Sequence, residues 1–596
     1  MAKLRNKTLG QQEKQKAKNF VGTVKKLWQI LSRYKRLLSF VLLLVIISSI
    51  LSLLGPYLIG RTIDEFIVTE KREGLAFRLM VIAAVYLLLS VTLYLQNYWM
   101  IHIAQKTVFL LRSKLFRHLH RLPIRFFDER QHGELMSRVT NDVENVSQTL
   151  NNSIIQIFSS ILTLLGAVCV MLSLSPLLTA VTLTVVPVMF AGMKWITSRT
   201  RRLFKEQQRN LGDLNGFIEE TISGQKIIKM FSQEQKVMAE FREKNERLKQ
   251  SGYWAQTISG FIPKLLNVLN NLSFALIAGV GGILALKGKI SVGVIVIFVE
   301  YARQFIRPLN DLANQYNTLL SAVAGAERVF EILEMEVEET DKKQAIDVAD
   351  VKGEVAFQDV SFSYKKDGDT IRNINFYVKQ GETVALVGPT GAGKTTIINL
   401  LSRFYDPDSG TILLDGKDIT TIKRSSLRKH MGFVQQDPFL FETTIRENIR
   451  YGRLHATDKE VEEAAKLANA HSFIMRLPNG YDTVLTQNGT ALSQGQKQLL
   501  SIARAILADP SILILDEATS NIDTITELKI QEALERLMKN RATFVIAHRL
   551  NTVQNADQIL VLNDGQIIEK GTHESLLQKK GFYYELFQSQ WKHEAI

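Results

Sequence analysis

The chain of 596 residues is 46% hydrophobic and carries a formal charge of +14, a length that fits roughly three or four domains. Its lone cysteine, Cys169, excludes an intrachain disulfide or a cysteine metal cluster and is expected to be a small buried hydrophobe. Basic residues with no interleaved aromatic platform argue against a nucleic-acid partner and for contact with membrane lipids.

In chain order, the first 36 residues hold eleven Lys or Arg against one acid, Glu13. Within them, Phe20 to Trp28 reads as a short amphipathic helix lying in the membrane interface. The first apolar run begins late and lacks a small-residue cleavage site, so no cleaved signal peptide is expected. Leu37 to Gly60 and Leu79 to Gln105 carry no Asp, Glu, Lys or Arg, and each is long enough to span a bilayer. Asn145 to Met193 is also free of these charges and about twice the length of a span. Near its middle, Ser173-Leu-Ser-Pro176 predicts two helices joined by a tight turn. Leu265 to Leu286 predicts a fifth span, and the stretch from Ile290 past Glu300 a sixth.

An even number of spans puts both termini on one side, and the basic residues mark that side as cytoplasmic in a bacterial-type inner membrane. The connections after the second and fourth spans, about 45 and 70 residues long, are too long for simple loops and show helical periodicity. They predict membrane helices extended into the cytosol, with short transverse helices in Gln131–Asp142 and Asn215–Gly224 as candidate contacts with the following domain. The acidic stretch Glu334 to Asp341 reads equally as a solvated linker or an exposed face. The expected division is a membrane domain over 1–333, a linker over 334–354 and a soluble α/β domain over 355–596.

In that last domain Thr383-Val-Ala-Leu-Val387 reads as a buried strand, and it delivers Gly388-Pro389-Thr390-Gly391-Ala392-Gly393-Lys394-Thr395, followed by a helix from Thr396. This spacing is a nucleotide-phosphate cradle. The glycines let backbone N–H groups turn toward phosphates, Lys394 reaches the β- and γ-phosphates, and the Thr395 hydroxyl can ligate Mg²⁺. Ile512-Leu-Ile-Leu-Asp516-Glu517 is an apolar strand ending in two acids, the first suited to Mg²⁺ and the second to polarising a water. Thr543-Phe-Val-Ile-Ala-His548 is another buried strand, ending in a histidine.

In that order after six spans, the cradle, Leu492-Ser493-Gln494-Gly495-Gln496, Asp516-Glu517, Ser520-Asn-Ile-Asp523 and His548 resemble an ATP-binding-cassette exporter half-transporter of the multidrug type. The resemblance extends to the membrane half, where Phe126-Phe-Asp128 with Gly133, Ser137-Arg138 and Asp142, and Glu220 with Gly224 and Lys229-Met-Phe231, are similar to the family's coupling segments. It implies an all-α six-helix transmembrane domain followed by an α/β P-loop ATPase domain. It also implies roles: Tyr364 stacks on adenine, Asp516 supports the metal, Glu517 is the general base and His548 senses the γ-phosphate. Gln436, or its neighbour Gln435, links the γ-phosphate and metal to the membrane half.

Two such ATPase domains pack head to tail in the family, so Ser493, Gly495, Gln496 and Asp523 belong to a composite site. Two departures stand out. Gln494 replaces the first glycine of the family's Leu-Ser-Gly-Gly-Gln, adding a side chain where backbone must approach the partner's nucleotide and penalising any φ > 0 conformation. Gln487 replaces an acid. Retained catalytic residues with a degraded signature imply the hydrolytic subunit of a heterodimeric exporter, with a homodimer as the alternative. Cofactors would be ATP and Mg²⁺, and cargo a hydrophobic or amphiphilic drug or lipid moved by alternating access. An ATP-gated channel or regulatory membrane ATPase shares the architecture. Gln96, Asn97, Asn267, Asn270, Asn271 and Glu300 are polar positions inside spans that either touch cargo or bond between helices.

Overall fold

A computed structural model describes residues 19–338, 341, 344–365, 368, 370–486, 489, 491–516, 522–547 and 550–590. They form two compact units, one of residues up to 121 and from 130 to 335, the other of 122–129 with 336 onward.

The first unit is helical. α1 (Phe20–Leu31) is capped by Asn19, whose Oδ1 accepts from Gly22 N, and it leaves Val21 and Trp28 exposed. α2 (Lys35–Thr62) and α3 (Leu75–Leu119) follow, while α4 (Ile124–Asp128) belongs to the second unit. Residues His132–Ser153 form short α-turns broken by π-turns and lead into α5 (Ile154–Leu174). There Ser175 turns extended and its Oγ accepts from Leu178 N, so α6 (Pro176–Leu183) starts with proline at its first turn, where the missing N–H costs nothing. After a one-residue break at Thr184 come α7 (Val185–Ser223), α8 (Gln225–Met230), α9 (Glu234–Ser259), α10 (Phe261–Leu286) and α11 (Val292–Leu333).

Among the described residues, five helical stretches are long and apolar enough to cross a membrane. The expected sixth, α11, carries Glu300, Arg303 and Arg307 in its apolar part, which keeps it outside that group. The first expected short helix is present, as His132–Ser137 continued by a π-turn to Asp142, and a further one, α4, starts ahead of it at Pro123, which is extended and lacks an N–H. The second lies elsewhere: Asn215–Ser223 continues α7, Gly224 ends it, and the short α8 follows. Cys169 is exposed rather than buried, on an apolar helix surface where a small hydrophobe suits lipid as well as core.

Polar side chains inside this unit pair with one another. Ser48 Oγ donates to Gln96 Oε1 (3.1 Å), Gln156 Nε2 to Asp311 Oδ2 (2.6 Å) and Tyr301 OH to Leu53 O (2.7 Å). Gln96 thus follows the interhelical reading, Asn97 bonds its own helix at Leu93 O, and Glu300 pairs with Arg303. Asn267 and Asn271 are exposed and Asn270 is half-buried. Asp142 is buried and held by both ends of the Arg328 guanidinium, the arrangement a desolvated charge requires.

The second unit holds two sheets. β1 (Val355–Phe362), β2 (Ile371–Val378), β4 (Ser409–Leu414) and β5 (Lys417–Asp418) form an antiparallel sheet in the order β2-β1-β4-β5. β3 (Thr383–Val387), β6 (Met431–Val434), β7 (Ile512–Asp516), β8 (Ala542–Ile546), β9 (Gln558–Asn563) and β10 (Gln566–Gly571) form the second, in the order β10-β9-β3-β8-β7-β6, parallel except for β10. Two apolar cores, on Val355–Leu562 and Ala385–Tyr583, cover the faces of β3, β7 and β8, which explains their unbroken apolar runs. The acidic stretch is not solvated throughout: Glu338 and Asp341 pair with arginines of this unit.

Candidate functional site

β3 is buried at all five positions and lies inside the parallel sheet, so its C-terminal end opens where ligands bind in open α/β sheets. A Cβ on Gly388 would lie 2.2 Å from Leu562 O, so the loop passes β9 at a distance only glycine allows. Gly393 (φ +101°) is the last residue before α12 (Lys394–Leu401), whose first N–H groups lack partners within the helix and form an anion site with the helix dipole. Ala392 and Thr396 are buried beneath the loop, while Thr390, Gly391 and Thr395 are exposed and Pro389 is half-buried. Lys394 Nζ donates to Gly388 O (2.7 Å) and Pro389 O (2.9 Å), spanning the loop. Burial pulls its pKa below the ordinary lysine value, and the Asp516 carboxylate partly opposes that.

Asp516 ends β7 and pairs in register with Ile546 of β8, the strand beside β3. Its charge acts on Lys394, so acid and cradle share one end of the sheet. Asp516, the Thr395 hydroxyl and the exposed Gln436 after β6 are all oxygen donors, the hard set that suits Mg²⁺ completed by phosphate oxygens. No group of three or more His, Cys, Asp or Glu that could hold a metal occurs among the described residues. Glu517 and His548 lie outside the described residues, as do Gln487, Ser520 and Asn521.

Tyr364 is half-buried, edge-on to Tyr405 and Phe362 (5.0 Å each), and its hydroxyl accepts from Asn399 Nδ2 of α12 (3.0 Å). Two bonds tie this cluster to α4: Tyr405 OH donates to Asp128 Oδ2 (2.7 Å) and Arg125 Nη2 to Tyr364 O (3.2 Å). Burial, then the bond to Asp128, raises the Tyr405 pKa, so its hydroxyl stays a donor. Sequence reasoning missed Tyr405 and Asn399; an aromatic four residues beyond the helix end was their only signal.

The signature segment forms the start of a helix, α13 (Gln494–Ala508). Ser493 caps it: its Oγ accepts from Gln496 N, and Gln496 Oε1 accepts from Ser493 N (3.0 Å). Gln494 is the first helical residue and is not among the positive-φ positions, so the expected backbone penalty does not arise; any L-residue fits there. The position intolerant of a side chain is Gly495, where a Cβ would lie 2.4 Å from Thr526 Cγ2. Gln494 Nε2 donates instead to Asp437 Oδ1, and Gln498 Nε2 to Gln435 O (3.2 Å), tying α13 to the turn after β6. Asp523 caps α14 (Thr524–Met538), accepting from Thr526 N (2.9 Å), which lowers its pKa. The cradle and Asp516 therefore share one end of the sheet, and the Tyr364 cluster joins the cradle through α12. Ser493 and Asp523 begin two other helices.

Comparison with known proteins agrees with this geometry. The pattern of the ABC transporter transmembrane region matches residues 38–309, and a second ABC transporter pattern matches 371–520. The chain is 62% identical over 587 residues to an uncharacterized ABC transporter ATP-binding protein of Bacillus subtilis (strain 168), YfiC, covering 98% of this chain and 97% of that one. It is 43% identical over 527 residues to a fatty acid ABC transporter ATP-binding/permease protein of Mycobacterium bovis, covering 88% and 82%. A solved structure of a bacterial Atm1-family ABC exporter with ATP bound superposes with a TM-score of 0.72 at 30% identity, covering 94% of this chain and 98% of that one.

Proposed function

Since the chain belongs to the ABC transporter family, joining a transmembrane region to an ATPase that hydrolyses ATP to drive transport, we propose that it exports hydrophobic or amphiphilic molecules across the cytoplasmic membrane as one half of a heterodimer. Its termini and ATPase domain face the cytosol. An acyl-bearing cargo is consistent with the fatty acid transporter among its relatives and with spans whose polar groups are largely satisfied internally, as in the Ser48–Gln96 and Gln156–Asp311 pairs.

The observation that carries the heterodimer is Gln494. It adds a side chain to the face of the signature helix that would meet the partner's nucleotide, and it holds that side chain on its own Asp437. The cradle of this chain is intact, so a partner bearing Leu-Ser-Gly-Gly-Gln completes it.

In that site the α12 N-terminus and Lys394 hold the β- and γ-phosphates, Tyr364 carries the adenine, and Glu517 takes the proton of the attacking water. Asp516, Thr395 and Gln436 would hold Mg²⁺, which neutralises charge on the phosphates. Purified alone, the chain should turn over ATP slowly; mixing it with a half-transporter carrying an unmodified signature should raise turnover. A stable homodimer with robust, cargo-stimulated ATPase would sink the heterodimer.

A further inference from the structure

We infer that the acidic linker after α11 is a second mechanical connection between nucleotide and membrane helices, made by Glu338 and Asp341 gripping the far end of the cradle helix. α12 begins with Lys394 at the phosphates and runs to Leu401; Ser402 and Arg403 follow directly. Arg403 is 5% exposed and adopts φ +52°, a conformation a non-glycine residue keeps only when its surroundings fix it. Its Nη1 donates to Ile419 O (3.2 Å) and Ile422 O (2.8 Å), its Nε to Asp406 Oδ1 (3.0 Å), and Asp341 Oδ1 lies 3.6 Å from Nη1.

Arg424, 8% exposed, completes the grip. It pairs with Asp406 (3.0 Å), Asp341 (3.6 Å) and Glu338 (3.6 Å), and its backbone N donates to Asp341 Oδ2 (3.1 Å). Arg428 then bridges Glu338 Oε1 (3.0 Å) to the carbonyl of Arg403 (2.8 Å). Downstream the linker is stitched to the same segment, with Ile346 N bonded to Thr421 O and Lys423 N to Ile346 O, each 3.0 Å.

Two linker carboxylates therefore share these buried arginines with Asp406, and breaking one partner of such a set is costly. The cluster adjoins the contact with α4, because Tyr405 and Asp406 are consecutive: one reaches Asp128, the other Arg403 and Arg424. A shift of α12 on binding phosphate is thus passed to α11 through the linker as well as to α4.

The test uses the full-length protein in phospholipid nanodiscs with EDTA, ATP as ligand and amide hydrogen exchange over residues 334–338 and 344–348 as the probe. Slow exchange that ATP changes by about threefold or more is expected in the unmodified chain, since exchange follows the population of the opened linker. The pair E338Q/D341N should exchange roughly tenfold faster whether or not ATP is present, with affinity for a fluorescent ATP analogue within about twofold and D341E restoring the response. If the pair does not assemble, D341N alone should show the same loss in smaller measure. An unmodified chain indifferent to ATP, a variant still responsive to it, or a parallel collapse of ATP affinity would overturn the inference. Because no transport is measured, these outcomes are independent of what the protein exports.

Discussion

Gln494 Nε2 donates to Asp437 Oδ1 at 3.1 Å, joining the first residue of the signature helix to the turn that carries Gln436. The family's glycine could not make this bond. The tie runs from α13 to the turn after β6, so any motion of α13 relative to that turn must stretch or break it. The substitution acts less by straining the backbone than by holding the helix to its own chain.

Gln494→Gly should therefore leave ATP affinity at this chain's cradle nearly unchanged while raising turnover of the purified chain, roughly several-fold if the lost tie is worth about 1 kcal/mol. Asp437→Asn should move turnover less, since an amide oxygen still accepts. Turnover that stays flat in Gln494→Gly would show that neither the side chain nor its tie limits closure.

Gly388→Ala tests the cradle through backbone rather than charge. The added Cβ falls 2.2 Å from Leu562 O, a backbone atom that cannot rotate away. Overpacking of this kind costs about 1–3 kcal/mol, and here it displaces the loop from β9, so loss of ATP binding should accompany a lowered thermal midpoint. Gly391→Ala, which meets nothing within 4 Å but sits at φ +87°, should cost less stability.

Lys394 predicts a pH dependence. Burial lowers its pKa, so it sheds its proton at lower pH than an ordinary lysine. The protonated form binds phosphate, and binding raises its pKa again; affinity for ATP should therefore fall as pH rises, starting below the usual lysine range. In Lys394→Arg, which stays charged, titration from pH 7 upward should lose that slope.

Much of this was legible in the sequence because the signals are local. Five apolar stretches, the buried run Thr383–Val387 and the glycine spacing of the cradle each lie within a few residues and map directly onto helix, strand and loop. What escaped was long-range pairing. Glu338 and Arg428 are 90 residues apart and Tyr405 and Asp128 are 277 apart, and no periodicity links them. Acidic composition said only that the linker was charged, not that arginines waited for it. Cys169 failed for another reason: in a membrane helix, apolarity does not distinguish core from lipid-facing surface.

The Tyr405–Asp128 bond yields a coupling prediction. Tyr405→Phe removes the 2.7 Å bond without altering the ring stack on Tyr364. Basal ATPase should persist, while dye accumulated in inverted vesicles per ATP hydrolysed falls. Because both partners serve one bond, Tyr405→Phe with Asp128→Asn should be no worse than either alone; additive losses would mean that they act separately.

The membrane half has an equally sharp test at the crossing of α2 and α11. A Cβ on Gly293 would lie 2.0 Å from Gly60 O and 2.5 Å from Asp64 Oδ2. Gly293 N already donates to Asp64 Oδ1 (2.7 Å), and Ser291 Oγ bonds the other carboxylate oxygen. The carboxylate thus caps the start of α11, and the absent side chain is what lets the two backbones touch, as small residues do between membrane helices. Gly293→Ala must push α11 away from α2 and lengthen the cap bonds together, at about 1–3 kcal/mol for the overpacking alone. Gly279→Ala, on α10 with nothing within 4 Å, gains up to about 1 kcal/mol of helix propensity and serves as the control. Thermal unfolding in nanodiscs should fall for the first and hold or rise for the second; equal midpoints would mean that the two helices do not meet at Gly60 and Gly293.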